Sequence, residues 1–249
     1  MPEAAKSIIV ICEAPADRRT ACELADRVLC QTIDWFSPEL LKAFRCWRGL
    51  RSSDEFLAWK DIPRLVQVAN VRIHGHFDNG PGALEAKMAR NALALVMKEA
   101  EQSIDGVVLL RDSDNKWDRN QGFRQARSET SLKVPVVIGV AHAKRECWVL
   151  AGFRAQDETE KQRLDVLKHK LGFDPTQRAH ELTATEKGAK RNAKEVLEIL
   201  VGGSFVREAG CWAETELDIL AARGKGSGLA DFLVEVRERL VPLWSGWKP

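Results

Sequence analysis

The chain has no apolar run approaching the roughly 20 residues that a bilayer-spanning helix needs, so no transmembrane segment is expected. It has no C-x-x-C pair and no Cys/His cluster at zinc spacing, which argues against a structural zinc site. The frame G-x-x-x-x-G-K-[ST] is missing as well. The GKGSG run at 224–228 follows no apolar strand and reads as a flexible loop, so no NTPase activity of the chain's own is expected. Excess charge is nearly absent: 38 Lys and Arg face 36 Asp and Glu, a net of +2. That balance argues against a protein that coats nucleic acid by bulk charge, while leaving room for a local basic face. There is no internal repeat and no low-complexity tail. Tyrosine is absent, so aromatic contacts fall to eight tryptophans and nine phenylalanines.

What is present suits a globular protein. Of 249 residues, 45% are hydrophobic and 30% charged, enough for one large α/β domain or one domain with a helical appendage. Cys12, Cys22, Cys30, Cys46, Cys147 and Cys211 are irregularly spaced, and several lie inside apolar patterns. They read as buried, reduced thiols in a reducing compartment. The opening MPEAAKSIIVIC runs into a strand without the basic and long apolar regions of a signal peptide, so a cytoplasmic location is expected.

The run Ser7–Cys12 is short, apolar and β-branched, which predicts a strand buried on both faces in a parallel sheet. The turn EAPAD leads into a helix over 18–33, with Ala21, Leu24, Ala25, Val28 and Leu29 on one face. Residues 35–62 place Trp35, Trp47 and Trp59 among Arg45, Arg48, Arg51 and Lys60, and predict helical pieces inserted between strands. Those tryptophans either stack bases or, on the plainer and preferred reading, pack the insert onto the sheet. A strand over 66–76, a loop over 76–82 and a helix over 83–104 follow. Strands are expected at Gly106–Asp112 and at 134–141, with Pro135 near the start of the latter. Helices are expected near 123–131 and from Glu146. Beyond residue 154 the pattern is helical only, at 157–171, 186–201, 213–222 and 228–241. The order predicts an α/β fold over residues 1–153, an open, mainly parallel sheet with helices on both faces, and a helical C-terminal region over 154–249 packed on it.

Open parallel sheets bind ligands beyond the carboxyl ends of their strands. Two of the three best strands end in acid, at Glu13 and at Asp112. Asp114 stands two residues further on, and in extended chain i and i+2 point the same way. Carboxylates gathered there repel one another unless a hard divalent cation lies among them, and Mg²⁺ or Mn²⁺ needs few such ligands. A metal so held would serve phosphodiester chemistry, with Glu13 as an alternative general acid or base. The plainer reading is that strand-end acids cap the next turn or helix.

The order strand–Glu13–helix, then strand–Asp112-x-Asp114, resembles the Toprim domain of topoisomerases, primases and nucleases of the overcoming-lysogenization-defect type. It is closer to small stand-alone Toprim-like proteins of bacterial defence loci, which open with Glu-Gly-x-Thr-Glu/Asp. Here Glu13 and Asp17 match the acids, while Ala14 stands for the glycine and Ala16 for the threonine. Glu146-Cys147-Trp148 matches the acid and aromatic helix after the third strand, so the resemblance covers residues 7–153. It implies Glu13 as acid/base or ligand, Asp112 and Asp114 as metal ligands, and Asp17 and Glu146 completing a second metal site. It also implies a metal-dependent nuclease acting on DNA or tRNA in antiphage defence, under a separate ATPase partner, and able to form homo-oligomers. The alternative it leaves open is a catalytically silent interaction subunit of such an ATPase-containing complex.

Other residues extend this expectation. Lys144, with His142 and Arg145, follows the third strand and would neutralise a scissile phosphate. Lys116 and Asp118 lie in the loop after Asp114. His74 and His76 form a possible imidazole pair, more simply read as a strand end. Lys187, Lys190, Arg191 and Lys194 follow helical spacing and predict one basic face for a nucleic-acid backbone or an acidic partner. A phosphatase of haloacid-dehalogenase type, suggested by Asp112-Ser113-Asp114, requires that motif after the first strand, where this chain has none.

Overall fold

A computed structural model describes residues 5–71, 77, 82–100, 103–116 and 118–244. The elements in chain order are β1 (Lys6–Cys12), α1 (Pro15–Thr32), α2 (Pro38–Phe44), β2 (Arg45–Arg48), β3 (Leu57–Ala58), α3 (Ile62–Val68), α4 (Ala86–Glu99), β4 (Gly106–Asp112), α5 (Arg119–Ser128) and β5 (Val136–Ala141). They continue with α6 (Arg145–Ala151), α7 (Glu158–Leu171), α8 (Ala193–Val201), α9 (Phe205–Glu214), α10 (Leu217–Arg223) and α11 (Leu229–Arg239). The chain is α/β: an open sheet in the order β2-β1-β4-β5, with β3 also on β1, flanked by helices and followed by a helical stretch. Strand β1 runs parallel to β2, β3 and β4. The bonds Val107 N–H to Pro135 O and Ser113 N–H to Ala141 O join the starts and the ends of β4 and β5, which makes that pair parallel too. No helix among the described residues is long and apolar enough to cross a membrane.

The chain divides into two compact units. The first comprises residues 1–111, 116–139 and 234–249. Its centre is β1, where every residue from Ile8 to Cys12 is fully buried. Partners on both sides explain the unbroken apolar run, because neither face of the strand meets water. Strand β2 is built from polar residues that find partners. Arg45 makes a two-point ion pair with Asp26 at 2.8 and 2.5 Å, and Trp47 Nε1–H donates to the same carboxylate at 3.0 Å. Burial raises the pKa of Asp26 against the opposing pull of Arg45. Arg48 is almost wholly buried, donating to Ser7 Oγ and to the carbonyls of Gly49 and Leu50. The expected helical insert over 35–62 therefore contributes the edge strand of the sheet. Trp47 and Trp59 are buried in it, as packing requires and base stacking does not.

The expected strand over 66–76 is corrected at its start. Residues 62–68 are helical, with Pro63 in the first turn where its missing N–H costs nothing. Residues 69 and 70 form a turn instead of a strand, and residues 72–76, His74 and His76 included, lie outside the described residues. Helix α4 is shorter than expected and buries Ala86, Ala89, Ala92, Leu93 and Val96. Helix α5 meets it at Gly122, where an added Cβ would lie 1.9 Å from the Leu84 carbonyl oxygen.

The second unit comprises residues 112–115 and 140–233. Helix α6 is its core, burying Cys147, Trp148, Val149, Leu150 and Ala151 against α8, α9 and α10. The expected helix 186–201 starts later, at Ala193, where Asn192 accepts the Lys194 and Glu195 N–H groups as the N-cap of α8. Residues 224–228, expected as a flexible loop, form a packed turn: Ser227 is buried and Gly228, at φ 79°, leaves no room for a Cβ beside the Val140 carbonyl. Glu160, also buried, is gripped by Arg207 at 2.6 and 2.9 Å and accepts from Gln156 N–H at 2.9 Å. All six cysteines are free, four of them buried, with Cys46 exposed.

Two outcomes are expected. Gly122→Ala forces α4 and α5 apart and lowers stability by about 3 kcal/mol in chemical denaturation. The Arg207 bond lowers the Glu160 pKa, so this pair stabilises above the ordinary glutamate range and ceases to do so as pH falls through the depressed value. Glu160→Gln should therefore cost about 2 kcal/mol at neutral pH and progressively less in acid, read from unfolding curves across pH.

Candidate functional site

The strand ends of the first unit carry Glu13 and Arg111. Because Ile11 pairs with Leu109 in parallel register, two more residues along each strand bring Glu13 level with Arg111. The Arg111 Nε lies 3.0 Å from Glu13 Oε1, and its other end is 2.7 Å from Glu85. Glu85 in turn holds Arg119, whose side chain is 3% exposed, at 3.3 Å. Two acids and two guanidiniums thus alternate and cancel. The Trp59 ring lies under the Arg111 guanidinium, and its indole N–H donates to Leu110 O at 2.6 Å. Glu85 reaches both arginines from a left-handed backbone, φ 67°.

Asp17 lies in the first turn of α1, where its Oδ2 accepts the Ala14 N–H at 2.9 Å. This is the reverse arm of a capping box. Ala14 has no side-chain acceptor, so the forward arm is missing. The plainer expectation for Asp17, N-cap of this helix, is corrected: Ala14 is the N-cap, and Asp17 stands three residues on with its carboxylate reaching back to it.

In the second unit, Asp112 Oδ1 accepts the backbone N–H of Arg145 at 2.7 Å. Lys144, the N-cap of α6, supplies no side-chain cap, so the aspartate fills that place from a distant chain segment. A carboxylate there is favoured by the unpaired amides and by the positive end of the helix dipole. Ser113 N–H bonds Ala141 O at 2.8 Å and Asp114 N–H bonds Ala143 O at 3.1 Å. Asp114 and Asn115 both have positive φ, 46° and 63°. The extended geometry assumed for Asp112 and Asp114 therefore ends at Ser113, and Asp114 stands on a left-handed turn. Its carboxylate lies 3.7 Å from the Lys144 ammonium. Glu146 is next to Arg145, 3.6 Å from its guanidinium, and Arg145 also holds Glu208 at 2.7 Å.

A second layer supports this turn. Ser113 Oγ lies 2.7 Å from His142 Nδ1, with both residues buried. Burial and the neighbouring His180 lower the His142 pKa and favour the neutral ring. His142 N–H and Trp148 Nε1–H both donate to Ser227 O, at 2.9 and 2.7 Å. The Cys147 thiol is pushed up to about 12 by burial, which makes it a packing group and not a nucleophile.

The structure thus places Asp112, Asp114, Lys144 and Glu146 in the second unit, with Asp114 beside Lys144 and Glu146 turned to Arg145, and places Glu13 and Asp17 in the first. Among the described residues, no three His, Cys, Asp or Glu side chains form a ready-made metal cage. The donors in the second unit are nonetheless hard carboxylate oxygens, with Asp112 oriented by a backbone N–H. Carboxylate oxygens are the donor type that Mg²⁺ and Mn²⁺ take, and these ions retain waters and need few protein ligands. Sequence reasoning missed Arg111, Glu85 and Arg119. Arg111 directly precedes Asp112, but nothing in the sequence marks Glu85 as its partner.

The fold and these positions define an α/β protein with acids at the carboxyl ends of parallel strands. Compared with protein-family models, curated proteins and solved structures, the chain matches none.

Glu85→Ala removes the carboxylate shared by Arg111 and the buried Arg119 and should destabilise the protein by about 3 kcal/mol, as loss of one partner of a buried pair does. The check is the denaturation midpoint, with Glu85→Gln retaining part of the loss as an uncharged acceptor.

Proposed function

We propose that the chain is a divalent-metal-dependent phosphodiesterase, a nuclease of Toprim type. The observation that carries the reading is Asp112: a strand-end carboxylate of a parallel sheet, aimed by the Arg145 N–H and flanked by Asp114 on a tightly held turn. Asp112 and Asp114 would hold Mg²⁺ or Mn²⁺, which supplies Lewis acidity toward a phosphoryl oxygen. Lys144, beside Asp114, carries the positive charge that would neutralise a scissile phosphate. The resemblance assigns proton transfer to Glu13 and a second metal position to Asp17 and Glu146. It also suggests a role in antiphage defence beside a separate ATPase.

A second reading is favoured by one specific contact. Arg111 already neutralises Glu13, an ion pair suited to a structural strand end. A catalytically silent subunit that docks on an ATPase would keep such a pair.

The test is cleavage of plasmid, linear duplex, single-stranded DNA and tRNA by the purified chain with Mg²⁺, Mn²⁺ or EDTA. Asp112→Asn is the key variant, because the amide oxygen can still accept the Arg145 N–H and preserve the fold. Metal-dependent cutting that falls at least about 100-fold in Asp112→Asn and in Lys144→Ala is expected. Equal cutting by wild type and Asp112→Asn overturns the nuclease reading for this site. Absence of cutting by either moves the assignment to the silent subunit.

A further inference from the structure

Residues 183–194 hold four cations, Lys187, Lys190, Arg191 and Lys194, against one acid, Glu186. All four cations are exposed. Among the described residues none of the four is in an ion pair with an acid. The sequence pattern predicts them on a helix; the structure puts the first three in a loop, with Lys194 in the first turn of α8.

That loop is tightly built. Thr183 and Asn192 form an antiparallel bridge, and Ala184 N–H bonds Arg191 O at 3.1 Å. Asn192 Nδ2–H donates to Glu186 O at 2.9 Å while its Oδ1 caps α8. Gly188 N–H donates to the Glu195 carboxylate, and Gly188 has φ 82°. The Arg191 guanidinium lies 5.5 Å from the Phe173 ring. Its shape is thus set by backbone groups, Asn192 and Glu195, leaving the cations directed at solvent.

The base of the loop is tied to the candidate site. Asn115 Nδ2–H donates to Thr183 O at 2.8 Å, and Asn115 directly follows Asp114. Lys187 is four residues from Thr183, so it lies within about 14 Å of that tie along the chain. That reach corresponds to roughly four nucleotides of rise along a duplex strand.

We propose that the loop 183–194 grips the sugar-phosphate backbone of a nucleic acid whose strand passes the Asp112–Asp114 turn. This names the substrate class of the site and rests on the nuclease reading. A protein partner is disfavoured because the loop offers no aromatic or large aliphatic anchor, which protein interfaces concentrate at their centres. Lys and Arg without such anchors suit phosphate contacts, which position a strand without reading its sequence.

The test measures binding, not cleavage. Labelled single-stranded DNA, duplex DNA and single-stranded RNA are titrated in EDTA with the full chain, by fluorescence anisotropy between about 50 and 200 mM salt. Wild type is compared with Lys187→Ala/Lys190→Ala/Arg191→Ala and with Lys161→Ala/Lys170→Ala, an exposed control on α7. Circular dichroism verifies that each variant is folded. The loop variant should lose more than about 10-fold in affinity at the lowest salt and lower the log–log salt slope by about 2 to 3, near 0.9 per lost phosphate contact, with the control unchanged. Loop-dependent binding without any cleavage supports the grip while sinking the nuclease reading. Cleavage with salt slopes equal in wild type and loop variant leaves the nuclease reading and overturns the grip. Failure of the wild type to bind any of the three probes overturns it as well.

Discussion

Strand β1 has parallel neighbours on both edges and no exposed residue from Ile8 to Cys12. A strand in that position cannot carry polar chemistry along its length, because every face of it is dry. Polar function is pushed to its ends, and in a parallel sheet the carboxyl ends all open on one edge. Glu13 directly follows β1 and is the first exposed position after its buried run, and Asp112 is the last residue of β4. Their placement follows from the dryness of the strands before them.

The two strand-end acids are stabilised in different ways. Glu13 meets a guanidinium, and with Glu85 and Arg119 it belongs to a chain of alternating charges whose sum is zero. Asp112 accepts a backbone amide at the start of α6, an interaction that orients its carboxylate. One acid is set by a guanidinium, the other by the start of a helix.

The parts of the fold legible in the sequence were those where burial alone dictates the residues. The runs that became β1, β4 and β5 are apolar because both faces are covered, and the eighteen-residue helix α1 shows its apolar spacing plainly. Strand β2 was hidden because Arg45 and Arg48 are answered by Asp26 and Ser7, residues far away in sequence. The end of helix α3, residues 66–68, was mistaken for the start of a strand because VQVANVRI alternates, although Pro63 marks a helix start. In the second unit Asn192 sets the start of α8 later than periodicity alone suggests, since capping depends on which backbone groups its amide can reach. The acids of the candidate site could be picked out by position, but their partners could not. Arg111 reaches Glu85 only through a left-handed turn, and Asp114 leaves the extended path for the same kind of reason.

The first unit takes in residues 234–249 as well as the N-terminal strands. Glu235 accepts from Arg127 at 2.5 Å, Leu240 is fully buried 3.4 Å from where a Cβ on Gly106 would stand, and Trp244 packs edge-on to Phe36 at 5.7 Å. The ribosome therefore delivers the opening strands long before the side chains that close their core. A nascent chain halted before residue 234 exposes the apolar floor beneath Phe36 and Gly106. The usual order, in which the amino-terminal part of a protein folds as it emerges, is unavailable to it. Its early half must wait, shielded or loosely collapsed, until residues 234–244 have been made.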